Sequence, residues 1–439
     1  MSGDSHPGRA RAVTLAVLVV ALLVVAGLAV PWQVLGSGAP PVHATPRLDF
    51  TAQQLATDSA FHDALRPWTY VRLAVAVLVP VLLGLTPVGA RLVRASARRV
   101  GGRWWTQVLL GTVVLTLIPL LVTLPLSVAA ERVLRRYGLS TQRWSGWSVD
   151  VLRGWAVSTV VTAVLLLVLV ALARRWRRWW VAGGLVAAGL VVLGSFVYPV
   201  VIEPLSNSFT PMAAGPQRHD LLQLARRDGV RVDDVLVADA SRRTTAENAY
   251  VSGLGSTRRV VVYDTLLKGA TPREVLLVVA HELGHVKAHD VRLGTALGAL
   301  GAAGAVVAGS WVLDDGGRRR RALLNRVGAR GAGDPGVIAL VLALATVGSL
   351  LSSPASTLVS RRIEARADVH ALDLTHDVQG FAQMQRRLAV TNLSDLQPGW
   401  WRSAFFATHP SSAWRIGMAR AWAEQHGLPG PQPVPAASP

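Results

Sequence analysis

His281-Glu282-Leu283-Gly284-His285 puts two imidazoles and a carboxylate within little more than one helical turn. Positions four apart share a helix face, so both histidines can point at one metal ion. Glu282, between them, can hold a water against that metal and take its proton. This is the HExxH pattern of zinc metalloproteases. Its flank favours a helix. Thr271-Pro272-Arg273-Glu274 supplies a capping threonine, proline at the first helical position and glutamate three residues after the cap. An apolar run from Val275 to Ala280 leads into His281. The plain alternative is a chance match on a buried helix.

A catalytic zinc takes three protein ligands and leaves a position for water. The chain has no cysteine, so thiolate ligands, thiol catalysis and disulfides are excluded. The third ligand is expected in Ser360-Arg361-Arg362-Ile363-Glu364-Ala365-Arg366-Ala367-Asp368. Glu364 would bind one zinc per chain together with His281 and His285. Asp368, one turn later on the same face, would accept a hydrogen bond from a ligand histidine and fix its tautomer. The alternative is an ordinary charged helix in which Glu364 and Asp368 pair with Arg361 and Arg362. His289, a further turn along the HExxH helix, reads as a surface histidine.

The elements that must position these groups are mostly membrane-spanning. Hydrophobic residues make up 51% of the chain and charged ones 16%, with a mean hydropathy of +0.38. A hydrocarbon core about 30 Å thick needs roughly 20 apolar residues in helix. About seven stretches qualify, near 13–30, 70–90, 107–130, 154–173, 180–202, 293–313 and 336–358. The first reads as a retained anchor rather than a cleaved signal, because its apolar core is long and no small-x-small site follows. In the sixth, Gly294, Gly298, Gly301 and Gly304 suit close helix packing.

The blocks are therefore 1–202 with five spans, 203–292 with the HExxH helix, and 293–358 with two spans. The block 359–428 would carry the glutamate ligand, and 429–439 is a Pro/Ala-rich tail expected to be disordered. The polar blocks are too small to hold separate cores and should fold together. The expected architecture is a multi-pass α-helical membrane protein with a small α+β zincin-type catalytic domain.

The net charge of +19 does not point to nucleic acid. Lys268 and Lys287 are the only lysines among 45 basic residues, and the arginines cluster at span ends beside Trp104, Trp105, Trp176, Trp179 and Trp180. That pattern fits topology signals and lipid contact. With seven spans, Arg9, Arg11, Arg91, Arg94, Arg98, Arg99 and Arg103 share a face with Arg174, Arg175, Arg177, Arg178, Arg318 to Arg321, Arg326 and Arg330. Fewer arginines lie in the short loops on the other face: Arg47, Arg66, Arg72, Arg132, Arg135, Arg136, Arg143 and Arg153. Positive short loops favour the cytoplasm. The expectation is a cell-membrane protein with a cytoplasmic N-terminus and an extracytoplasmic catalytic domain.

These motifs together resemble the integral-membrane gluzincin proteases, above all the type I CAAX prenyl protease and, more distantly, the HtpX heat-shock protease. Besides HExxH and the Glu364–Asp368 segment, the likeness is carried by Asn248-Ala249-Tyr250 with Gly253, Val262 to Leu267, Thr408-His409-Pro410 and Arg415-Ile416. Glu203 to Pro211 and Glu131 to Gln142 are similar too. Asn248 to Leu254 and Arg259 to Tyr263 read as paired strands. The resemblance implies that the Asn248-Ala249-Tyr250 strand edges the cleft and binds a peptide backbone. It implies that Asn248 bonds substrate or oxyanion, that His409 stabilises the tetrahedral intermediate, and that Arg415 orients its segment or a substrate carboxylate. Read alone, Asn248 could be a turn residue and His409 a capping or surface histidine.

The implied function is zinc-dependent hydrolysis of membrane-associated peptides or proteins. The segment between Leu267 and the HExxH helix lacks a long charged insertion, and the Arg-over-Lys bias points to a GC-rich bacterial genome. Prenyl-peptide processing is therefore not carried over. A protease-type membrane sensor and a transporter with a coincidental motif are the competing readings.

Overall fold

The structure is a computed structural model that describes residues 7–253, 258–314 and 317–434. Gly255 and Ser256, in the turn expected between the paired strands, and residues 435–439 lie outside the described residues. Among those described, seven helices are long and apolar enough to cross a membrane: Gly8–Ala29, Ala52–Leu85, Trp104–Arg136, Trp144–Arg175, Trp179–Ile202, Asp290–Leu313 and Pro335–Thr375. Their outward faces are apolar. Leu28, Leu185 and Leu351 are 85%, 71% and 73% exposed, which only a lipid environment accommodates across so many side chains.

Several spans are longer than hydropathy alone suggests. The second begins at Ala52 rather than near residue 70, because Thr51 and Gln54 form a reciprocal capping box. It stops at Leu85, where Pro87 opens a separate helix, Pro87–Ser96. At 1.5 Å per residue its 34 residues extend about 51 Å, so roughly 20 Å stands clear of the hydrocarbon. The seventh is one helix, Ile338–Thr375. No break falls at residue 358, and this helix carries Glu364 and Asp368 from the membrane into the catalytic domain. In the glycine-rich sixth span, Gly298 is the member of the expected stripe pressed closest to a neighbour, Val191 of the fifth.

A four-stranded sheet lies beside these projecting ends. β1 (Phe209–Pro211), β2 (Asp234–Ala238), β3 (Ala249–Ser252) and β4 (Arg259–Tyr263) are ordered β1-β2-β4-β3. β2 and β4 are parallel, and β3 pairs antiparallel with β4, Ala249 opposite Val262. β3 is thus an edge strand. The HExxH helix, Pro272–Lys287, starts at Thr271 with the expected capping box.

One core joins both polar blocks. Val235, Val260 and Val262 of the sheet and Leu277 and Leu283 of the HExxH helix bury with Ala371 at the end of the seventh span and with Phe381, Met418 and Trp422 beyond it. The loop after the first span also belongs here. Val34, Leu35 and Val42 pack on this core, and fully buried Asp49 pairs with Arg420 at 3.2 Å. Residues 30–51 therefore dress the catalytic domain, although the sequence grouped them with the spans. Part of the tail expected to be disordered is tied down as well. The Val434 N–H donates to the Leu48 carbonyl at 2.9 Å, and Arg386 donates to the Gln432 carbonyl at 2.7 Å.

Candidate active site

His281 and His285 face one point from the HExxH helix, and Glu364 meets them from the seventh span. The Nε2 atoms of the two histidines are 3.2 Å apart. Glu364 Oε2 is 3.3 Å from His281 Nε2, and Oε1 is 3.5 Å from His285 Nε2. Ligands about 2.0–2.1 Å from a tetrahedral zinc are roughly 3.3 Å from each other, close to all three separations. Glu364 Oε2 is buried with no hydrogen-bond partner, as expected of an atom reserved for a cation. The donor set fits a zinc ion.

The far nitrogen of each imidazole meets a carboxylate. His281 Nδ1 is 2.9 Å from Asp368 Oδ1, and His285 Nδ1 is 2.8 Å from Asp290 Oδ2. With Nδ1–H donated outward, each Nε2 turns its lone pair to the centre. Burial alone would lower the His281 pKa, but the Asp368 and Glu364 carboxylates outweigh it and push it up to about 10. The cluster therefore favours positive charge at its centre. Burial raises the Glu282 carboxyl above its ordinary range, opposed by both histidines.

Asp290 was not anticipated from sequence. His289 sits in the left-handed region at φ 57° and interrupts the helix after the motif. The chain turns there, and Asp290 folds back onto His285 while also pairing with Arg366. His289 itself is exposed, as expected.

Arg361 does not pair with Glu364. It donates to the Ala407 carbonyl at 2.9 Å and to the Ser403 carbonyl, pinning the segment that leads to His409. His409 Nε2 lies 3.3 Å from Glu364 Oε2, with the ring exposed at the site's mouth. Arg415 differs from the substrate-binding expectation. It is largely buried, its Nε donates to Asp368 Oδ2 at 2.7 Å, and Nη2 lies 3.3 Å from His281 Nδ1. The Arg415 guanidinium thus faces the buried Asp368 carboxylate and the His281 ring.

Asn248 is exposed at the entry to β3. Its carbonyl accepts the Tyr263 N–H at 3.0 Å. Ala249 points into the core, and Tyr250 packs edge-on against Tyr263 with centroids 6.2 Å apart. What Ala249 and Tyr250 leave open is the outer backbone edge of β3. Val251 of that strand and Gly253 just after it line a small cavity shared with Glu282 and His285. Ser252 Oγ donates to Glu203 Oε2 at 2.7 Å, fastening the strand to the end of the fifth span.

A helical membrane bundle, a small mixed sheet and a buried His-His-Glu cluster define an integral-membrane metalloprotease. The chain belongs to peptidase family M48, which matches residues 217–423, and residues 65–208 match the CAAX prenyl protease N-terminal family of five membrane helices. It is 32% identical over 308 residues to the uncharacterized metalloprotease YhfN of Bacillus subtilis, covering 70% of this chain and 71% of that protein. It is 28% identical over 305 residues to a CAAX prenyl protease 1 homolog of Oryza sativa subsp. japonica, covering 67% and 68%. The crystal structure of S. mikatae Ste24p shares the fold, with a TM-score of 0.71 at 20% identity over 93% of this chain and 98% of that one. The chain is thus a multi-pass membrane protease acting on peptide or protein substrates, and the sensor and transporter readings give way.

Proposed function

We propose that this protein is a zinc-dependent endopeptidase that cuts peptide segments of membrane-associated proteins at the membrane surface. The observation that carries it is the tetrahedral spacing of the His281, His285 and Glu364 donor atoms, with Asp368 and Asp290 behind the two imidazoles. A zinc ion held there would act as a Lewis acid, lowering the pKa of water towards about 7 and polarising the scissile carbonyl. A substrate segment adds in extended form along the outer edge of β3, through backbone bonds that read little sequence. Glu282 takes a proton from the attacking water at its carboxylate oxygen and delivers it to the leaving amide nitrogen. A carboxyl raised by burial is better matched to both transfers than an ordinary one. His409 Nε2–H donates to the oxyanion, and the Asn248 amide donates to substrate at the start of the strand.

The test is Glu282→Gln, which keeps the shape but cannot accept the proton. Zinc content should stay at one per chain, and peptidase activity should fall by about 10²–10⁴. Cleavage near the wild-type rate would remove Glu282 from the mechanism.

The substrate range we infer excludes a requirement for prenylation and centres on segments close to the bilayer. The supporting observation is geometric. Glu364 lies about 39 Å along the seventh helix from Ile338, which puts the catalytic site roughly 10 Å beyond the hydrocarbon, within reach of membrane-anchored chains. We place the catalytic domain outside the cytoplasm and the protein in the cell membrane, on the strength of the arginine distribution. The same distribution, confined to span ends, argues against a nucleic-acid partner.

A further inference from the structure

The seventh span separates the catalytic site from the opposite end of the bundle by roughly 40 Å of helix. At that remote end lies a second cavity, of about 1170 Å³, lined by Arg94, Arg174, Arg330, Trp104, Gln107 and the glycine-rich segment 328–333. Trp104 opens the third span and Arg174 lies in the last turn of the fourth, so the cavity sits where the helices leave the hydrocarbon. Arg94 donates to the Gly328 carbonyl and Arg174 to the Gly333 carbonyl, each at 3.0 Å. The Arg174 guanidinium rests 5.3 Å from the Trp104 ring centroid. Backbone and aromatic contacts thus hold two guanidiniums at the cavity wall.

Asp334 is the one carboxylate among the described lining residues. Its oxygens accept the backbone N–H groups of Gly336 and Arg330, each at 2.9 Å. Three arginines then line a roomy cavity with a single acid engaged in holding the loop. Guanidinium donors match phosphate oxygens in geometry as well as charge. The space exceeds that of one inorganic anion and suits a headgroup with its glycerol.

We infer that this cavity binds a phosphate group, presented by the headgroup of an anionic phospholipid. The inference is independent of the peptidase reading. The test uses the full-length protein in nanodiscs of phosphatidylcholine doped with phosphatidylglycerol, counting retained lipid by native mass spectrometry. A parallel arm titrates inorganic phosphate and follows Tm. Wild type should retain phosphatidylglycerol over phosphatidylcholine, and Arg174→Gln with Arg330→Gln should lose retention on the order of tenfold. Arg177→Gln with Arg319→Gln, exposed on the same face outside the cavity, should keep it. If the double variant does not fold, Arg330→Gln alone, at an exposed loop position, should still lose roughly fivefold. A Tm rise with phosphate in wild type only, without lipid preference, would keep the phosphate site and overturn the headgroup. Equal retention of both lipids with no phosphate effect, or a folded variant that binds like wild type, would overturn the proposal.

Discussion

Each imidazole of the proposed metal site meets a carboxylate that comes from outside the HExxH helix. On the proposed reading Asp368 and Asp290 act through His281 and His285 rather than on substrate, so their loss should loosen metal without abolishing it. Zinc affinity should drop roughly 10–100-fold in Asp368→Ala and in Asp290→Ala. Glu364→Ala should fall further, since it deletes a direct donor. Arg361→Ala should leave zinc nearly intact, because Arg361 bonds the Ser403 and Ala407 carbonyls and not Glu364. Competitive chelator titration of the four purified variants checks this order. Normal zinc in Glu364→Ala would require a different third ligand.

At the scale of elements, the site depends on how closely the HExxH helix crosses the seventh span. Gly284 makes that approach possible. A Cβ there would lie 3.1 Å from both the Ala367 Cα and the His370 Cβ, and the first belongs to backbone that cannot swing aside. Gly284→Ala gains about 1 kcal/mol of helix propensity against about 1–3 kcal/mol of overpacking. We expect a net loss of up to about 2 kcal/mol with weaker zinc binding, because parting the helices draws Glu364 away from the histidines. Gly284→Val, larger and stiff at χ1, should be worse on both counts. Thermal melts with and without zinc read both effects. A higher Tm with unchanged zinc affinity in Gly284→Ala would show that the crossing is not limiting.

For the whole molecule the prediction concerns which side of the membrane carries the chemistry. The arginine-rich loops gather at the end away from the catalytic domain. Arg11 pairs with Asp314, which also accepts from Trp179 Nε1 at 3.0 Å, while Arg94 and Arg174 bond the loop before the seventh span. In this cysteine-free chain, Ala214→Cys reports on the catalytic side and Ala322→Cys on the other, both at exposed positions. An impermeant thiol reagent on intact cells should label Ala214→Cys directly and Ala322→Cys only after lysis. The reverse pattern would put the active site in the cytoplasm.

His281, Glu282 and His285 were legible because a helix alone brings residues four apart together. The capping box at Thr271 and the seven apolar spans were legible for the same reason: each is a local property of neighbouring residues. Glu364 and Asp368 could be proposed by spacing, but only the crossing at Gly284 brings them to the histidines. Asp290 had no signal in helical periodicity, because the left-handed turn at His289 breaks the period. Arg415 could not be assigned from sequence, since its partner Asp368 lies on another element and its burial arises only in the assembled core. The length of the second span was hidden too, because a capping box and polar turns extend a helix that hydropathy stops counting. Contacts close in the chain follow from local geometry. Contacts across elements exist only once burial against a common core selects which faces meet.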